Sequence, residues 1–195
     1  MNDTKQILVW DPLLRIFHAL LAGCFLVAYV MEDEMLHLHL LLGSIVFGLI
    51  IFRLFWGICG TEHARFSDFI FSIKQIRDHL RSLIRWKPSH HTGHTPAGGV
   101  MIFFLLIGLL ILTLSGIMLY GLENSAAPFA YLTTDMSLDT IIFIEQLHSL
   151  VADALMLAVL FHIAGVLIES LLQQQNLIGA MITGYKKGGR NTYDI

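Results

Sequence analysis

The stretch that decides the fold runs from Leu147 to Gly165, LHSLVADALMLAVLFHIAG, an apolar run with a histidine near each end. It opens a segment from about Leu147 to Leu171, and crossing roughly 30 Å of hydrocarbon takes about 20 apolar residues. A titratable ring is costly in hydrocarbon and asks for a partner or a task. Fourteen residues separate His148 from His162. That is about 21 Å of helical rise and about 1,400° of rotation, some 40° short of four turns. The two rings therefore leave nearly the same face of one helix at two depths.

Three further stretches can span a membrane, from about Leu14 to Met31, Leu38 to Ile58 and Val100 to Tyr120. The 195 residues are 55% hydrophobic and 14% charged, with a mean hydropathy of +0.69, against about 25% charged in ordinary soluble domains. The expectation is an all-α membrane protein, one domain over residues 1–195 built as a four-transmembrane-helix bundle. No n-region and h-region order precedes the first apolar run, so that span is expected to act as its own insertion signal. Between the second and third spans, Phe69, Ile70, Ile73, Ile76, Leu80, Leu83 and Ile84 recur at helical spacing, with Lys74, Arg77, Arg81 and Arg85 opposite. This predicts an amphipathic helix over about 68–86. Two compatible placements are open to it, on an anionic membrane surface or against the end of the bundle.

All twelve Lys and Arg fall up to the start of the first span, from the end of the second to Lys87, or after the fourth. The segments 32–38 and 121–146 hold none and carry Glu32, Asp33, Glu34, Glu123, Asp135, Asp139 and Glu145. Basic segments stay in the cytoplasm, so both termini are expected inside and the acidic segments outside a bacterial inner membrane.

That orientation sorts the histidines by depth. The second and fourth spans both start outside, which levels His39 with His148; the first starts inside, which levels His18 with His162. Two pairs at two levels is what two stacked bis-imidazole b-type haems require. A flat macrocycle also needs small neighbours three or four positions from its ligand, and Ala22, Gly43, Ala152 and Gly165 stand there. Small-residue helix packing is the rival account of these four. His37 competes with His39, yet two positions are about 200° apart on a helix, and Gly43 favours His39.

Other residues are weighed against duller roles. Arg15 and Arg53 are the cations nearest the inner pair, as propionate contacts or as headgroup anchors. Asn124 and hydroxyl donors would serve the outer propionates. Cys24 and Cys59 lie 35 positions apart outside any CxxCH, which excludes covalent haem attachment, and read as small apolar residues. Trp10, Trp56 and Trp86 read as interfacial anchors, and Met118 and Met156 as packing. His90-His91-Thr92-Gly93-His94 spells the HHxxH of membrane di-iron oxygenases, but those sites need several such boxes, so a polar loop is the better reading.

At this point the residues resemble a family. Val9-Trp10-Asp11-Pro12 with Arg15-Ile16-Phe17-His18, His39 to Gly43 with Phe52-Arg53 and Trp56-Gly57, Gly93-His94-Thr95-Pro96 with Gly98-Gly99, Leu147-His148 with His162 to Gly165, and Asn176 to Gly184 match in order and spacing. The chain is similar, from Val9 to Lys187, to the bacterial cytochrome b561 group, which includes the b-type cytochrome subunit of nickel–iron hydrogenases. The resemblance implies four helices, two haems and electron exchange with quinone or a redox partner, and carries ligation onto His18, His39, His148 and His162. It departs at Ala19, where the family often has Trp. Hydrogenase-type members are usually longer, which weighs against a hydrogenase partner.

The expected function is therefore electron transfer across the membrane between quinone or quinol and a redox protein, with no separate catalytic residue. The acidic outer segments would attract a basic partner, such as many c-type cytochromes. Membrane lipid is a partner, nucleic acid is not, and a homodimer is compatible with the sequence. The alternatives are a membrane-anchor cytochrome subunit of a larger oxidoreductase such as a hydrogenase, and a histidine-based proton or metal transporter. The latter is weakened because Asp153 and Glu169, near the span ends, are the only intramembrane carboxylates.

Overall fold

This computed structural model describes residues 6–31, 35–85, 93–123 and 137–187. Trp86, His90, His91, Asn124, Glu32, Asp33, Glu34 and Asp135 lie outside them. Among the described residues four helices are long and apolar enough to cross a membrane: α1 (Pro12–Val30), α2 (Leu36–Cys59), α4 (Pro96–Glu123) and α5 (Leu138–Leu172). Two shorter helices, α3 (Ile73–Ile84) and α6 (Leu177–Thr183), accompany them. The helices outrun the apolar windows because polar caps start them earlier. Thr95 Oγ1 accepts from the Gly98 N–H ahead of α4, with Pro96 at its first position, where a missing N–H costs nothing. Ser137 Oγ accepts from the Thr140 N–H ahead of α5.

The chain forms two compact units, each fed by part of every long helix. The first comprises residues 1–19, 53–103 and 160–195. It contains a feature the all-helical expectation lacked, an antiparallel pair of strands, β1 (Gln6–Leu8) and β2 (Tyr185–Lys187), with Ile7 opposite Lys186. Strands of three residues leave too little alternation to read from sequence. Gly184 makes the junction. It ends α6 at φ 90°, its carbonyl accepts from the Val9 and Trp10 N–H groups, and a Cβ there would stand 2.7 Å from the Trp10 carbonyl. Only glycine suits such a position.

Asp11 ties α1 to α2. One oxygen accepts from the Leu14 N–H as the cap of α1, and the other from Trp56 Nε1 and Thr61 Oγ1. Burial pushes this carboxyl up, but those bonds outweigh it and hold it below 3.8. α3 opens with a capping box between Ser72 and Gln75. The residue it buries is His79, at 3% exposure, against Glu169. Ile73 and Leu80 stay exposed, as do Lys74, Arg77, Arg81 and Arg85. His94 lies between Trp10 and Phe69, each ring 4.5 Å from its own, with Nδ1 buried and unpartnered. Enclosure of the ring first, and then Lys186, Arg53 and His63, press its pKa from 6.5 down to about 3.

The second unit comprises residues 20–52 and 104–159. Its core is Phe25, Val46, Ile50, Leu109 and Leu155, with Cys24 and Met156 packed against it. Gly108 lets Leu155 in close, since a Cβ there would stand 2.7 Å from Leu155 Cδ2.

Two expectations follow for stability. Asp11→Ala removes a helix cap and the acceptor of two side chains, and should cost about 1–2 kcal/mol, read as a lower thermal midpoint in detergent. For His94 the folded pKa is depressed, so its contribution is whole above about pH 6.5 and is lost as pH falls toward 3. His94→Gln should flatten that acid-side decline in melting temperature, and a slope identical to the unsubstituted protein's would refute the assignment.

Candidate functional site

The structure brings the four selected histidines together in two pairs. In the first unit, His18 of α1 faces His162 of α5 with ring centres 6.4 Å apart and planes at 50°. In the second, His39 of α2 faces His148 of α5 at 6.1 Å and 69°. Metal–imidazole bonds run about 2 Å and the ring centre lies roughly 1 Å behind the nitrogen, so two rings sharing one metal have centres about 6 Å apart. Both pairs sit at that separation. His37 stays exposed and joins neither.

The His39–His148 pair is anchored from behind. His39 Nδ1 lies 3.0 Å from the Ala28 carbonyl, an acceptor only, so the nitrogen donates. Ser115 donates its hydroxyl proton to the Leu112 carbonyl at 2.9 Å, which leaves its oxygen to accept from His148 Nδ1 at 2.9 Å. Each bond fixes the tautomer whose lone pair is on Nε2, the form that ligates a metal. Gly116 is needed beside it, because a Cβ there would stand 2.9 Å from His148 Cε1. A cavity lined by Phe25, Ala28, Tyr29, His39, Leu112, His148 and Ala152 adjoins the pair.

Among the described residues, neither ring of the His18–His162 pair makes a hydrogen bond. The two candidate cations belong to the same unit. Arg15 donates to the Ile182 carbonyl, and its Nε is buried without a partner. Arg53 is 3% exposed, stacked over Phe66 at 4.7 Å and Phe69 at 5.9 Å, and its Nη1 is buried without a partner. Among the described residues neither arginine forms an ion pair. Buried N–H donors of this kind call for an anionic acceptor. Around the expected small residues, Ala152 is buried against the cavity, while a Cβ at Gly43 or Gly165 would meet nothing within 4 Å.

These observations fit haem: paired imidazoles at ligation distance, at one pair a tautomer set for metal, open space beside Gly43 and Gly165, and unpaired guanidinium donors for carboxylates. Among the described residues no three His, Cys, Asp or Glu side chains are grouped to hold a metal ion. Sequence reasoning missed Ser115, Gly116 and the Ala28 carbonyl. Ser115-Gly116 was visible as a polar and small interruption of the apolar run from Val100 to Tyr120; a backbone acceptor leaves no trace in a sequence.

The family model described as prokaryotic cytochrome b561 matches residues 9–184, most of the chain. No curated protein and no solved structure matches it. With four helices able to cross a membrane, the chain belongs to the prokaryotic cytochrome b561 family, multi-pass membrane proteins that carry electrons on b-type haem.

Proposed function

We propose that the chain holds two b-type haems, one between His18 and His162 and one between His39 and His148, and passes electrons between the quinone pool and a redox partner protein. The observation that carries this is the pair of ring separations, 6.4 and 6.1 Å, at histidines chosen from the sequence by depth, helix face and small neighbours. Haem bound there supplies an iron that cycles between ferric and ferrous. Held between two imidazoles, such a haem would supply outer-sphere electron transfer.

The protein's part is to bind, orient and tune. Arg15 and Arg53 would meet the propionates of the first haem with their unpaired donors. Ala28 and Ser115 hold the second pair's imidazoles and raise their basicity through Nδ1. The charge pattern supports a cytoplasmic location for both termini. On α3, exposed Ile73 and Leu80 beside Lys74, Arg77 and Arg81 suit anionic headgroups.

Purified protein should be red, with low-spin bis-histidine spectra and two haems per chain by pyridine haemochrome assay. His162→Ala or His18→Ala should take that ratio to one and keep the second signal, and His148→Ala should do the converse. A colourless protein from cells supplied with haem would end the reading. Ser115→Ala should weaken haem retention at the His39–His148 site by about 10-fold. Losing the Nδ1 acceptor should also raise that haem's midpoint potential in a redox titration.

A further inference from the structure

Two carboxylates lie in the spanning part of α5, and their surroundings differ. Glu169 accepts from Thr95 Oγ1 at 2.8 Å and pairs with buried His79 at 3.2 Å, its side chain 13% exposed. Asp153 is exposed, and its hydrogen bond comes from the Tyr29 hydroxyl at 2.8 Å. An exposed carboxylate within an expected span is costly in hydrocarbon and marks a task. Tyr29 faces two ways. It lines the cavity at His39 and His148, and its hydroxyl reaches Asp153.

We propose that Tyr29 and Asp153 form the site where a quinol enters from the bilayer and is oxidised beside the haem of the His39–His148 pair. This rests on the two-haem, quinone-linked reading above. Quinol is lipid-soluble and gives up protons with its electrons, so its site needs an opening to lipid, an electron acceptor near by and a base within hydrogen-bond reach. His39 and His148 cannot be that base, because their Nδ1 protons are held by Ala28 and Ser115 and their Nε2 atoms serve the metal. Asp153 is the titratable group that the structure sets against the cavity's Tyr29.

Oxidising one quinol breaks two O–H bonds and releases two electrons. Each proton moves from a quinol oxygen to a carboxylate oxygen of Asp153 and on to water before the next. Each electron leaves singly, with ferric b-type haem as the oxidant, reduced to ferrous. Tyr29 is a positioning residue that holds the carboxylate at the cavity's edge. With quinol at this pair, the His18–His162 haem is left for the redox protein. The plain rival is a Tyr–Asp clamp joining α1 to α5, which would affect melting temperature and nothing else.

Full-length, haem-loaded protein in lipid nanodiscs tests it by stopped-flow haem reduction, with a short-chain quinol in one arm and dithionite in the other. Equilibrium binding of a fluorescent quinoline N-oxide gives a readout that needs no turnover. Asp153→Asn should keep both haem spectra and the dithionite rate, and slow quinol-driven reduction about 100-fold. Asp153→Glu should restore much of that rate. Tyr29→Phe, which removes one hydroxyl, should weaken analogue binding by about 3–10-fold. Quinol reduction of Asp153→Asn at the unsubstituted rate would overturn the assignment. If Asp153→Asn loses haem, Tyr29→Phe decides, and unchanged affinity and rate there would overturn it equally. Unsubstituted protein that holds no haem, or that no quinol reduces, would sink the broader reading; normal reduction that ignores both substitutions sinks this site alone.

Discussion

Two imidazoles carried on different helices can share one metal only if their ring centres stand about 6 Å apart, and that distance constrains everything packed around them. Helix packing in a membrane gains little from hydrophobicity, because lipid tails are as apolar as leucine; close contact at small residues and interhelical hydrogen bonds do the work. The second unit shows both. Gly108 lets α5 approach through Leu155, Gly116 makes room for the edge of His148, and Ser115 grips the same ring from α4. A methyl group at either glycine would push on the helix that carries His148.

The first unit reaches a similar separation by other means. Its ends are knotted by polar contacts, with Asp11 joining the start of α1 to Trp56 and Thr61, and Gly184 fastening the tail to Val9 and Trp10. Glu169, His79 and Thr95 then bind α5, α3 and the start of α4 together. These contacts gather at helix ends, where unpaired backbone groups already need partners. Along the spans, hydroxyl side chains also bond locally, Ser44 to the Leu40 carbonyl and Thr113 to that of Leu109.

What was legible in the sequence followed from periodicity and cost. Apolar length found the four helices, and 3.6-residue geometry put His148 and His162 on one face of α5. Direction then paired each with a histidine on another helix, as the structure places them. The rest depended on contacts no local pattern encodes. The Ala28 carbonyl is a backbone group, the strands are three residues long, and α3 turns His79 inward while Ile73, read as part of the apolar face, is 86% exposed. Trp10 and Trp56, read as interfacial anchors, are engaged by His94 and Asp11. Hydropathy records what a residue prefers, and tertiary contact decides what it meets.

The two pairs share a separation but not an environment, and on the two-haem reading that difference acts on the iron. His39 and His148 donate through Nδ1 to oxygen acceptors, which raises the basicity of the ligating nitrogen and favours the ferric state. His18 and His162 lack such acceptors among the described residues, and their unit holds Arg15 and Arg53 with buried donors, whose positive charge favours the less positive ferrous state. Both effects lower the potential at the second pair relative to the first. On that reading the same scaffold would set two haems apart without changing a ligand, through hydroxyl, carbonyl and guanidinium groups one layer behind the imidazoles.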